Sequence, residues 1–95
     1  MRRIYVVTYD ISSPKRWRHV YKTMKGFGQH IQLSVFRCDL TASEVLEMKA
    51  ALEAEIDRRE DQVLIVDLGA SAGRAHRVEA LGRPHHEEER GAKIL

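Results

Sequence analysis

His30-Ile31-Gln32-Leu33-Ser34-Val35-Phe36-Arg37-Cys38-Asp39-Leu40 is the stretch on which the fold turns. Its first residues alternate polar and apolar, and then the phase breaks, because Phe36 falls where a period of two calls for a polar side chain. Two short strands fit this pattern, and so does one bulged strand bent near Ser34. On the N-terminal side stand Ser13-Pro14, an N-cap followed by proline at the first helical position, and then Trp17, Val20, Tyr21 and Met24 at i, i+3, i+4 and i+7. That spacing predicts an amphipathic helix, stopped by Gly26 and Gly28 around Phe27. On the C-terminal side Thr41-Ala42-Ser43-Glu44 matches a capping box, and Val45, Met48, Leu52 and Ile56 mark the inner side of a second helix expected to end near Arg58-Arg59.

Outside these helices lie two β-branched, apolar runs, Ile4 to Tyr9 and Gln62 to Leu68, which read as strands covered on at least one face. Gly69 to Gly73 is a turn or loop, Val78 to Gly82 a possible short strand, and Ala92 to Leu95 a possible last one. Strand, helix, hairpin, helix, strand is the βαββαβ order, and right-handed crossovers make the ferredoxin-like split βαβ its natural topology. The expected class is therefore α+β, a ferredoxin-like sandwich with an additional C-terminal strand. Residues 1–82 form the ferredoxin-like domain in this reading, and residues 83–95 a C-terminal segment. Two helices cover only one face of such a sheet. A chain of 95 residues cannot easily leave the other, Val- and Ile-rich face wet, so that face and the C-terminal segment are expected to meet a second copy in a homodimer.

Composition removes several function classes. With 43% hydrophobic and 32% charged residues the chain can build a core, and its apolar runs of four or five residues are far short of the roughly 20 a membrane span requires. Met1-Arg2-Arg3 opens a segment too polar for a secretory signal, so the expected compartment is the cytoplasm. One cysteine, Cys38, excludes an internal disulfide and a Cys-based zinc site. Gly26-Phe27-Gly28 lacks the Lys-Ser/Thr of a phosphate loop. The modest net charge of +2 hides an asymmetry: residues 1–37 carry eight Lys or Arg against one acid, Asp10, giving +7, and the remainder sums to −5. Lys15, Arg18, Lys22 and Lys25 recur on the outer face of the first helix, a surface suited to phosphates.

Asp10, directly after the first strand, is the candidate site. Helix capping is better served by Ser13-Pro14, which frees Asp10 for other work. A single carboxylate is a poor cage for magnesium, but Mg2+ keeps several waters and takes only one or two carboxylates, and a twofold axis supplies a second Asp10. A hydrated metal between them can activate water against a phosphodiester. His85-His86 with Glu87-Glu88-Glu89 is a weaker metal candidate, because adjacent histidines point apart. Ser34 is a candidate hydroxyl donor to phosphate, with a bond to its own backbone as the competing role. A small-molecule regulatory module is a further alternative that the fold alone allows.

Tyr9-Asp10-Ile11-Ser12 after a Val-rich strand, the Lys15-Arg16 pair, Gly26-Phe27-Gly28 and Gln32-Leu33-Ser34-Val35-Phe36 together resemble the small CRISPR-associated adaptation nuclease family, the dimeric companion of the spacer integrase. The likeness covers residues 3–68 well and extends loosely through Val78 to Gly82. It implies a homodimer in which the C-terminal strand of one subunit joins the other's sheet, and a scaffold that binds protospacer duplex DNA together with the integrase. It also implies Mg2+-dependent endonuclease activity on single-stranded RNA or double-stranded DNA. By the same resemblance Asp10 is the catalytic residue and metal ligand, and Tyr9, Arg16, Ser34 and Phe36 fall on motif positions; with Lys15 and Arg18 of the basic helix face these four are the expected nucleic-acid contacts. Four positions depart from the family pattern: Arg37, Ser13 and Pro14 stand where acids are frequent, and His30 where a basic residue is common. The loss of the acids makes the surroundings of Asp10 more positive.

Overall fold

A computed structural model describes residues 1–73 and 77–85. Its element order is β1 (Arg2–Asp10), α1 (Pro14–Lys25), β2 (Gln29–Gln32), β3 (Val35–Thr41), α2 (Ala42–Glu55) and β4 (Gln62–Ala70). The strands form one antiparallel sheet in the order β2-β3-β1-β4, which is the ferredoxin-like arrangement expected above.

Both helices lie on one face of this sheet. Val7 and Tyr9 of β1 and Phe36, Cys38 and Leu40 of β3 meet Val20 and Met24 of α1 and Val45, Met48 and Leu52 of α2 in a single buried cluster. The alternation along β3 is strict, with Phe36, Cys38 and Leu40 buried and the residues between them only partly covered. This settles the ambiguous stretch as two strands joined at Leu33-Ser34, with Gln32 opposite Val35. Leu33 takes φ +43 there, a left-handed conformation that branched side chains seldom adopt, and this is why the turn is not legible as one in the sequence.

Local signals start both helices. The Ser13 side chain accepts the Arg16 N–H at 3.3 Å, and Thr41 and Glu44 close their box in both directions, at 3.1 and 2.9 Å. The end of α2 differs from expectation. Ile56 is already extended, so the helix stops at Glu55, short of Arg58-Arg59. Side-chain bonds of the following turn account for this: Asp57 Oδ1 accepts from the Arg59 N–H, and Asp61 Oδ2 accepts from the Asp57 N–H.

Two further expectations concern the C-terminal part. Val78 to Gly82 forms no strand: Leu81 is 94% exposed and Gly82 sits at φ +92. The possible strand at 92–95 and the His86 to Glu89 part of the acidic segment lie outside the described residues.

The face opposite the helices bears Val6 on β1 and Leu64, Val66 and Leu68 on β4, the last three each about half exposed. Val6 stands directly opposite Val66, and Thr8 opposite Leu64. No helix among the described residues covers these side chains.

Candidate functional site

Asp10 is the last residue of β1, and Gln62, the first residue of β4, is its partner in the ladder. Because Val7 and Tyr9 point to the helices, strand alternation turns Asp10 to the open face, where it is exposed. Capping of α1 belongs to Ser13, so Asp10 is left for the solvent side of the sheet. Among the described residues no three His, Cys, Asp or Glu side chains converge. Among the described residues one chain therefore offers a metal at Asp10 fewer than three such side-chain ligands.

The other predicted contacts do not share one surface. Lys15 and Arg18 are exposed on α1 beside Lys22, and this helix contains no acid to neutralise them. Lys25 is half-buried, its Nζ 5.5 Å from the Tyr21 ring centroid. Tyr9 and Phe36, by contrast, are core residues. Phe36 has no exposed surface and stacks with Tyr9 at 6.2 Å between ring centroids, so it holds the sheet to the helices and offers no face to a nucleic acid. Burial also pushes the Tyr9 phenol up to about 12. Ser34 is partly covered at the hairpin, and its carbonyl accepts the Tyr9 N–H at 3.2 Å, which ties the β2-β3 turn to the end of β1.

Arg16 stands apart from the exposed stripe. Its Nε donates to Asp61 Oδ2 at 2.8 Å and its Nη2 to Asp61 Oδ1 at 3.2 Å, with Glu60 a further 3.6 Å contact. Asp61 also accepts from the Ser12 N–H at 3.0 Å. Periodicity does not single out Asp61, because its role is set by partners 45 and 49 residues away. The only sequence signal for it is an acid directly before the β4 run, at the sheet end that carries Asp10.

The Arg16 guanidinium, and then the N–H groups of Asp57 and Ser12, hold the Asp61 carboxyl well below the usual carboxylate range; a bond from Gly69 and the Arg3 guanidinium lower Asp67 in the same direction. A carboxyl depressed on folding adds stability that is fully present above its unfolded pKa, near 3.8, and is lost as pH falls below it. Thermal unfolding followed from neutral pH down to about pH 2 should thus show Tm falling mainly below about pH 4. In Asp61→Asn the fall should be shallower from a lower starting Tm. An equally steep fall in that variant excludes Asp61 as a source of the acid lability.

Known proteins agree with this architecture. Residues 1–74 match the family model described as CRISPR associated protein Cas2. A CRISPR-associated endoribonuclease Cas2 of Rhodospirillum rubrum is 50% identical over 91 residues, covering 96% of this chain and 89% of that protein. The CRISPR-associated endoribonuclease Cas2 of Geobacter sulfurreducens is 42% identical over 83 residues, covering 87% of each. The crystal structure of Streptococcus pyogenes Cas2 at pH 6.5 superposes with a TM-score of 0.70 at 39% identity, covering 83% of this chain and 99% of that one. Sheet order, the strand-end aspartate and these likenesses lead to one assignment: the chain belongs to the CRISPR-associated Cas2 family.

Proposed function

We propose that this protein is a homodimeric endoribonuclease that cuts single-stranded RNA with the aid of Mg2+ at a site built from two Asp10 carboxylates. The observation that carries this is the position of Asp10: exposed, at the end of the central strand, on the apolar sheet face left open by the helices. Pairing two such faces about a twofold axis covers Val6, Leu64, Val66 and Leu68 and turns the two Asp10 side chains toward one another. The donor set fits the metal, since magnesium prefers carboxylate oxygen, takes one or two such ligands and retains waters. When bound, it lowers the pKa of a coordinated water and offsets charge on the scissile phosphate. Asp10 from each subunit holds it, and the cationic face of α1 draws the polyanion to the surface.

Purified protein and end-labelled single-stranded RNA, with and without Mg2+, test this reading. Cleavage that requires the metal supports it; no cleavage across a wide range of pH with Mg2+ or Mn2+ overturns it. Sedimentation gives the companion result. A mass about twice the 10.9 kDa chain is expected, and Val66→Glu, which buries a charge in the paired faces, should yield the monomer.

A second reading is favoured by the exposed bases of α1. Lys15, Arg18 and Lys22 suit the backbone of a duplex, and the dimer then holds protospacer DNA for a spacer integrase by phosphate contacts that carry little sequence information. Affinity for duplex DNA should fall linearly in log-log form as salt rises. Replacing the three bases with glutamine should flatten the slope by roughly one unit for each phosphate no longer neutralised. A slope unchanged by the replacement puts the duplex elsewhere on the protein.

A further inference from the structure

We infer that Asp61 is a positioning residue for Asp10, tying the chain that follows that carboxylate to the strand beside it. This rests on the endoribonuclease reading above and adds to it the group that keeps its metal ligand in place. The Asp61 side chain has no exposed surface. Its Oδ1 accepts from the Ser12 N–H at 3.0 Å, the Ser12 hydroxyl at 3.1 Å and Arg16 Nη2 at 3.2 Å. Its Oδ2 accepts from Arg16 Nε at 2.8 Å and the Asp57 N–H at 2.8 Å. These donors belong to the loop after β1, the start of α1 and the turn after α2, so one carboxylate joins three segments that are distant in sequence.

Two of those joins bear on Asp10. Ser12 lies two residues beyond it, and Gln62, which follows Asp61, is its partner across the β1-β4 ladder. The residue beside Asp10 and the residue after Ile11 are therefore both referred to the same carboxylate. Arg16 presents Nε and Nη2 to that carboxylate, and a planar guanidinium gripped along one edge has its orientation fixed. A ligand-bearing loop must be held to within about half an ångström to be effective, and a buried, fully bonded neighbour is the means to do it.

The test uses full-length wild type and Asp61→Asn, each studied well below its own Tm. Three quantities are read: amide hydrogen exchange at Ser12, the Mn2+ concentration that half-maximally broadens the Asp10 and Ile11 amide signals, and kcat and KM for RNA cleavage. Positioning predicts faster exchange confined to the Asp10–Ser13 loop, about a tenfold higher Mn2+ requirement, and kcat lowered about tenfold with KM within about twofold. A folded variant with wild-type Mn2+ requirement and kcat overturns the inference, because a purely structural role lowers Tm and leaves both alone. If Asp61→Asn does not fold, Asp61→Glu, which keeps the charge and displaces the oxygens, is read by the same criteria. Should the wild type cleave no RNA, the endoribonuclease reading fails by itself, and exchange with Mn2+ broadening still decides the role of Asp61. Absence of broadening at Asp10 in the wild type overturns both.

Discussion

Asp10→Asn is expected to lower metal-dependent RNA cleavage at least about a hundredfold while leaving Tm within about 4 °C of the wild type. Both halves follow from where the residue sits. Asp10 is exposed at a strand end, and its neighbours in the ladder are held by backbone bonds that asparagine preserves. Little stability is therefore at stake in the monomer. For the reaction, asparagine keeps the shape and removes the charge, and magnesium holds a neutral amide far less well than a carboxylate. In the proposed dimer the metal-free wild type would set two like charges across the twofold axis, so the variant should dimerise at least as tightly without metal. Added Mg2+ should raise the Tm of the wild type and not that of Asp10→Asn, since only a species that binds the ion gains from it. Cleavage at the wild-type rate by a metal-unresponsive Asp10→Asn would refute the assignment of the active site.

Gly28→Ala carries the largest expected cost in stability. Gly28 is buried between the end of α1 and β3, and a Cβ there would lie 2.6 Å from the Arg37 carbonyl oxygen and closer still to Cys38 Sγ. A side chain can turn aside, but the Arg37 carbonyl belongs to the strand that β2 pairs with, through Gln29 opposite Arg37. Relief requires the β2-β3 hairpin to move, at a cost on the order of 3 kcal/mol and a fall in Tm of roughly 15 °C. Gly26→Ala is the internal control. Its Cβ would meet only the Thr23 carbonyl oxygen at 3.3 Å, from a helical φ of −79°, and the change should stay within about 1 kcal/mol. Gly28→Ala/Cys38→Ala should recover only part of the stability, because the backbone clash remains. Equal Tm values for the two glycine variants, measured by calorimetry, would show that the hairpin yields freely.

The contrast between these glycines also shows what a sequence can convey. Ser13-Pro14 and Thr41 to Glu44 specify helix starts through bonds made within four residues, so both starts are legible. The end of α2 is not, because Asp57 and Asp61 end it through side-chain bonds that leave no mark on apolar periodicity. Phe36 reads as a nucleic-acid contact and proves to be core for a related reason. Its motif is visible in sequence, but which face of β3 it occupies depends on where the phase changes, and Leu33 makes that turn without glycine or asparagine. Asp10 is legible as the lone acid among eight bases, a local fact of composition. Asp61 shows only as an acid directly before the β4 run, since its importance comes from Ser12 and Arg16, brought to it by the sheet.

The central position of β1 has a consequence for biosynthesis. Within this domain β1 is translated before either of its partners, and it pairs on one side with β3 and on the other with β4, Val7 meeting Phe36 and Ile65. Its second partner is translated some 60 residues later, so the nascent chain must keep Ile4 to Tyr9 out of wrong pairings until nearly the whole domain has emerged. Slow, late closure of the sheet, and sensitivity of yield to truncation before Ala70, are the expected marks of this topology in the cell.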